Sequence, residues 1–574
     1  MFAVLVALAL LQDGPAQIQF ELSIPRPTTH LLHVRMTVFD APGDSFDLAM
    51  PVWTPGSYKV RDYAQYVQDF EAGGLEFEKV DKTTWRIRHQ GARKAQISYR
   101  IFAHEMSVRN CHVDSEHATV IGASTFLYVK GLEKMPHSVE IVPPPGWTIA
   151  TGLDRAAADR FLAPDYDVLI DCPIEAGPLR AAEFSVRGVP HRVAVSGPCP
   201  VALEKIRDDL AKTVESAAAL FGEIPYKHYT FIVRSLPGGG GGGLEHLNST
   251  LMDVSTVRLG TEEGYRRFLE LAAHEFIHTW LVKRLRPAEL GPFDYTKENH
   301  TKLLWVMEGI TSYYAPVALK RAGVWTERQV LEAFADTIET VLRTPGRKRE
   351  SPEMASFNAW IHHYQRGPQS VNATTSYYDT GEIRGLVLDL EIRRRSGRSL
   401  DDVMKALYRE ATARGRGVSP EDFQLACEKA AGGSLEDLFA RTIRGTEDPD
   451  LGPGLAHVGL ALKNEGKPEP YLGAAFEGNA ISAVIEGGPA WREGLCVGDE
   501  LVAIRRIKAA AETWKDHVAP IRDGDKVPFT VFRRGILKEV EVTMERRAEP
   551  DLKLERVASP SAAQSAALEA WLGN

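Results

Sequence analysis

The run His274-Glu-Phe-Ile-His278-Thr-Trp280 sets two histidines four residues apart with an acid beside the first. In an α-helix, residues four apart share a face, so both imidazoles can reach one metal ion while Glu275 leans towards the same cavity. The flanking sequence supports a helix over 262–285. At about 100° per residue, Tyr265, Leu269, Ala272, Phe276 and Trp280 form one apolar stripe. The histidines then point away from it, towards a cleft, and Pro287 ends the helix. Alone, the pattern also fits two surface histidines on an ordinary helix.

A third ligand changes that reading, because hydrolytic zinc sites use three protein ligands and leave a fourth position for water. Leu304-Trp-Val-Met-Glu-Gly-Ile-Thr-Ser-Tyr-Tyr314 offers Glu308 on a second helical stretch. Pro287, Gly291, Pro292 and Asn299 supply turn signals to fold that stretch back. Glu308 sits among apolar residues, where an unpaired carboxylate is costly to bury. A metal removes that cost, and an arginine partner is the alternative. The expected cofactor is one zinc ion per chain on His274, His278 and Glu308.

Outward from this centre the chain changes character twice. Residues 17–180 read as β-rich, in short alternating runs such as Leu31–Phe39 and Ala95–Phe102 between Pro, Gly and Asp clusters. Within them Pro51-Val-Trp-Thr-Pro-Gly-Ser-Tyr58 reads as a fixed turn. Residues 181–450 are mainly helical, with apolar residues at three- and four-residue spacing over 201–221, 302–322, 326–342 and 381–395. A strand-like Tyr229–Val233 there runs into Pro237 and six glycines, and 446–455 read as a linker. Residues 456–547 return to β runs. Tyr471-Leu-Gly-Ala474, Ile481–Ile485, Gly487-Gly-Pro-Ala490 and Gly498-Asp-Glu-Leu-Val-Ala-Ile504 resemble a PDZ domain. Such a domain adds a peptide strand to an open sheet edge and holds its terminal carboxylate in backbone N–H groups. A generic small β-barrel is the alternative, and 548–574 read as a tail with one short helix.

The 574 residues suggest about three to five domains. The apolar share of 44% and charged share of 25% are those of a globular protein and exclude a disordered or polytopic membrane chain. With 77 acidic against 68 basic side chains, a nucleic-acid partner is disfavoured. The five cysteines lie far apart with no CxxC pair, so no disulfide framework follows. Phe2–Leu11 is too short to span a bilayer, and no transmembrane helix is expected elsewhere. It suits the apolar core of a signal peptide over 1–16, cleaved after Ala16, which predicts an exported chain. No basic residue precedes Arg26, so a buried segment in a cytoplasmic chain is the alternative.

Taken in order, Met50–Tyr58, Val80–Trp85, Gly242-Gly-Leu-Glu-His-Leu-Asn-Ser-Thr250, His274–Pro287, Trp305–Tyr314 and Ser376-Tyr-Tyr-Asp-Thr-Gly381 resemble the glycyl aminopeptidase family of gluzincin metallopeptidases. The resemblance covers nearly the whole chain. It implies a multidomain α+β architecture: a β-rich N-terminal domain, a mainly helical thermolysin-like zinc peptidase domain and a C-terminal PDZ-like β domain. It further implies Glu275 as general base and Tyr378 as oxyanion donor. Glu245 would bind the α-ammonium of a peptide with a free N-terminus, with Gly242 and Gly243 letting peptide backbone pair alongside. Small first residues, Gly or Ala, are implied by the family name alone. Aromatic packing for Tyr377 and Tyr378, and an arginine-paired structural role for Glu245, remain open. So do a zinc endopeptidase with the same ligands and a silent scaffold that binds C-terminal peptides through the PDZ-like domain. Leu281 departs from the polar residue expected there and is placed at the cleft rim.

Overall fold

The computed structural model describes residues 17–573; the expected signal segment 1–16 lies outside them. Among the described residues no helix is long and apolar enough to cross a membrane. The chain forms two compact units. The first runs up to Asn299 and takes in Arg321–Val324 and Tyr408–Gly417; the second holds His300–Lys320, Trp325–Leu407 and the chain from Val418 onward.

The first unit begins with β layers. A seven-stranded sheet places Ile18–Ser23 between His137–Val142 and Leu31–Phe39, and Leu31–Phe39 pairs on its other side with Lys94–Phe102. Period-two alternation explains the packing: Leu32, Val34, Met36 and Val38 are buried from one strand, Ala95, Ile97, Tyr99 and Ile101 from its neighbour. Two four-stranded sheets complete this part. Pro51–Tyr58 is a buried turn, as its prolines require, closed by a Thr54–Ser57 bridge and by Trp53 Nε1 donating to the Asp294 carbonyl at 2.8 Å.

The unit continues into a five-stranded sheet ordered Arg180–Val186, Val189–Ser196, Tyr229–Leu236, Ser249–Ser255, Gly241–Glu245. Its three central strands are parallel, and Leu203–Phe221 is the helical crossover between the first two of them. The glycine run that reads as a loose loop instead enters the edge strand, Gly241–Glu245, antiparallel to Ser249–Ser255.

The helix carrying the histidines spans Glu262–Ile277. Thr261 caps it through the Gly264 N–H, and two acids occupy its first turn. It stops before the expected end at Leu285. Val282 takes a left-handed φ of 67°, and the chain turns so that the Lys283 side chain reaches a buried carboxylate, Asp171, at 2.8 Å. Trp280 is buried and stacks on Phe221 with ring centroids 4.8 Å apart, as the apolar stripe requires.

In the second unit, Trp305–Ile310 is one stretch of π-helix that continues as the α-helix Thr311–Arg321. It packs against Tyr377–Ser396, a helix buried along most of its length. A β sheet follows, ordered Ala474–Glu477, Ala480–Val484, Glu500–Ile504, Lys526–Arg533, Ile536–Thr543. Short helices at Pro489–Glu493 and Trp514–Val518 lie in its connections. The Gly498-Asp499 turn is held by Asp499, fully buried and bidentate to Arg533 at 2.7 Å. The segment that reads as a tail returns to the unit. Leu552–Arg556 pairs with Leu460–Asn464, and the helix Ala562–Leu572 buries Trp571.

Candidate active site

The first unit assembles a cluster around the helix Glu262–Ile277. His274 Nε2 and His278 Nε2 lie 3.1 Å apart with their rings nearly perpendicular. Two ligands of a tetrahedral zinc with legs of about 2.0–2.1 Å stand about 3.4 Å apart. The two ring nitrogens therefore already converge to the spacing of one coordination edge, and the donor set fits zinc. Glu275 is buried beside them, and the closeness of the edge strand explains a glycine at 243. A Cβ there would fall 2.2 Å from Glu275 Oε1, so only a bare Cα fits against the carboxylate. Gly242, with φ 115°, carries the strand into this approach.

Glu245, at the end of the same strand, is also buried. Its carboxylate, that of Glu275 and a ring nitrogen of His278 all lie within 4.8 Å of one another. Glu245 leans on the N-terminal β layers, because the Pro55-Gly56 turn runs directly over its carboxylate. A Cβ on Gly56, whose φ is 89°, would meet the Glu245 oxygens at 2.6 and 2.7 Å. Trp53, Gly56, Tyr58, Glu245, Lys283 and Phe293 line a cavity of about 70 Å³ here.

The partner of Glu245 is a lysine, not an arginine. Lys283 Nζ stands 3.7 Å from Glu245 Oε1 and 2.8 Å from Asp171 Oδ1. Burial opposes both charges. The Asp171 and Glu245 carboxylates outweigh it at Lys283 and hold the ammonium pKa above its ordinary value. Lys283, joined by His246 at 3.5 Å, likewise outweighs burial at Asp171 and holds it below the usual carboxylate range. Two buried carboxylates, Asp171 and Glu245, thus face one buried ammonium. His246 is buried within this network, and Leu281 is fully buried rather than on a rim.

The second unit carries Glu308 and Tyr378. Glu308 is buried on the π-helical stretch, which is held to the helix Tyr377–Ser396 backbone to backbone: a Cβ on Gly309 would lie 2.4 Å from the Cα of Gly381. Both glycines are required for that contact. Tyr377 and Tyr378 stack at 4.7 Å, each also against His363. Tyr377 is fully buried while Tyr378 is partly exposed. Ser376 caps the helix through the Asp379 N–H, and burial raises the Asp379 carboxyl pKa above its ordinary value.

Sequence reasoning missed Asp171, Lys283 and Gly56. Only the Pro-Gly pair at 55–56 and the lysine in Leu281-Val-Lys-Arg-Leu285 hinted at them.

Residues 19–178 match the Peptidase M61 N-terminal domain, and residues 267–383 match the M61 glycyl aminopeptidase domain. The comparison with curated proteins returned no match. Among solved structures, an aminopeptidase N family protein from Idiomarina loihiensis superposes with a TM-score of 0.91 at 28% identity, over 97% of this chain and 100% of that one. An M1 zinc metallopeptidase from Deinococcus radiodurans aligns at a TM-score of 0.49 and 15% identity, over 76% of this chain and 96% of that one. With matches to both M61 domain models in order along its length, the chain is a metallopeptidase that hydrolyses peptide bonds.

Proposed function

We propose that the protein is a zinc aminopeptidase that removes small first residues from peptides. His274, His278 and Glu308 are the residues that would hold the ion, one per chain. Bound there, zinc would polarise the scissile carbonyl and lower the pKa of a water towards about 7. The protein's own groups do the rest. Glu275 takes the proton from the attacking water and returns it to the leaving amine. Tyr378 donates to the oxyanion of the tetrahedral intermediate. Glu245 receives the substrate α-ammonium, and peptide backbone runs along the edge strand Gly241–Glu245.

The observation that carries this reading is the placement of Glu245 within 4.8 Å of Glu275 and His278. A carboxylate at that distance from the general base fixes a free amino group one residue from the scissile bond. The cavity of about 70 Å³ under Gly56, lined by Glu245, would receive a small first side chain. In the second unit, Ala474–Glu477 ends its sheet and offers an edge for the C-terminal strand of a peptide, the PDZ-like mode.

The test is cleavage of a Gly- or Ala-initiated peptide, free and N-acetylated, by the zinc-loaded full chain. Loss of the first residue from the free peptide alone is expected. Equal internal cleavage of both peptides would make the enzyme an endopeptidase and return Glu245 to a structural part.

A further inference from the structure

A second cluster lies in the N-terminal β layers. His112–Val113 and Ala118–Val120 form a short antiparallel hairpin, its loop closed by the Asp114 N–H donating to the His117 carbonyl at 3.0 Å. His112, Asp114 and His117 each present a ligand atom there, all within 4.8 Å of one another. Both histidines are buried, and Asp114 is partly exposed at the mouth.

The surrounding hydrogen bonds decide which ring nitrogens carry protons. His117 Nδ1 lies 2.8 Å from Glu175 Oε1. Glu175 is fully buried, and its other oxygen accepts from Thr119 Oγ1 at 2.5 Å. A carboxylate only accepts, so Nδ1 holds the proton and Nε2 of His117 keeps a lone pair. His112 Nδ1 faces the His104 carbonyl at 3.3 Å, the longer of its two contacts, so the proton of the neutral ring sits on Nε2 instead. What that nitrogen meets is Asp114 Oδ2, at 3.0 Å. Asp114 is fixed in turn, since its Oδ1 takes the N–H groups of Glu116 and His117 at 2.7 and 3.0 Å. His112 thus stands between two acceptors with one proton to give, and a ligand atom from each of His112, Asp114 and His117 lies within 4.8 Å of the others. Either a ring gains a second proton or a cation sits among them. A carboxylate on the far nitrogen of a histidine is also the support that orients metal-binding imidazoles.

We propose that His112, Asp114 and His117 form a second metal site, separate from the HExxH histidines, for a divalent first-row transition ion. Two imidazoles and one carboxylate suit such ions, and three protein ligands leave room for water. Glu175 holds His117 in register from behind, and the ion would tie the hairpin loop to the strand beneath it.

Cobalt titration of the full chain carrying His274→Ala and His278→Ala tests this apart from the catalytic reading. One equivalent of Co²⁺ is expected to bind with visible d–d absorption, and Asp114→Asn or His117→Ala on that background is expected to abolish it. Asp114→Asn alone should lower the metal content of the wild-type chain by one ion while peptide cleavage persists. It also guards against misfolding in the His117 variant, since Asp114 is the least buried of the three. No cobalt binding in the double-histidine variant, or binding that survives Asp114→Asn and His117→Ala in folded protein, would overturn the site.

Discussion

Lys283 shows how much one residue can carry. Its ammonium is the buried counter-charge to both Asp171 and Glu245, so replacing it with methionine removes the charge while keeping the stem. Breaking a buried pair from one side costs about 3–5 kcal/mol, and Lys283→Met should lose that much stability in urea unfolding at neutral pH. The pH profile gives the sign. Asp171 is held below the ordinary carboxylate value in the folded chain, so its contribution is present above about pH 4 and is lost as the pH falls below it. Without Lys283 the same carboxyl is buried with its principal partner gone and prefers to be neutral. The deficit of the variant should therefore shrink on acidification, first as its carboxyl takes up a proton above about pH 4 and then as the wild-type pairing is lost below it. Parallel stability curves for the two proteins would refute the pairing.

At the scale of elements, the edge strand Gly241–Glu245 decides how close substrate and base can come. The glycine run reads as loosening, yet the chain uses it to lay bare backbone against Glu275. Gly243→Ala puts a methyl 2.2 Å from Glu275 Oε1, and the carboxylate must swing away. A displacement of about 1 Å at a catalytic group costs about 100-fold. The variant should lose about that factor in kcat, with zinc content unchanged. A kcat near wild type would mean that Glu275 is not the base. The helix Glu262–Ile277 teaches the converse lesson. Its i, i+4 histidines and apolar stripe were legible, because both follow from helical period alone. Its end at Ile277 was not, because a distant carboxylate, Asp171, draws the chain out of the helix.

At the scale of the whole molecule, the last helix is part of the second unit's core. Trp571 is fully buried there, and its Nε1 donates to the Tyr313 hydroxyl at 2.9 Å. That hydroxyl in turn donates to the fully buried Asp389. Trp571→Ala removes the ring and one hydrogen bond of this chain, and cavity formation of that size costs about 3–5 kcal/mol. A fall in the unfolding midpoint of the second unit is expected, and an unchanged midpoint would show that the helix is dispensable.

What the sequence determined by itself is whatever depends on neighbours in the chain. The spacing of His274 and His278, the alternation in Leu31–Phe39 and the proline-set turn at 51–58 all rest on local geometry. Only the tertiary structure decided which charges compensate one another. Lys283 meets Asp171 from 112 residues away, the Gly56 turn covers Glu245, and Glu175 supports His117 from another strand. Such pairings have no period to read. They arise where separate elements exclude water together, and burial then requires each charge to find a partner wherever along the chain it lies.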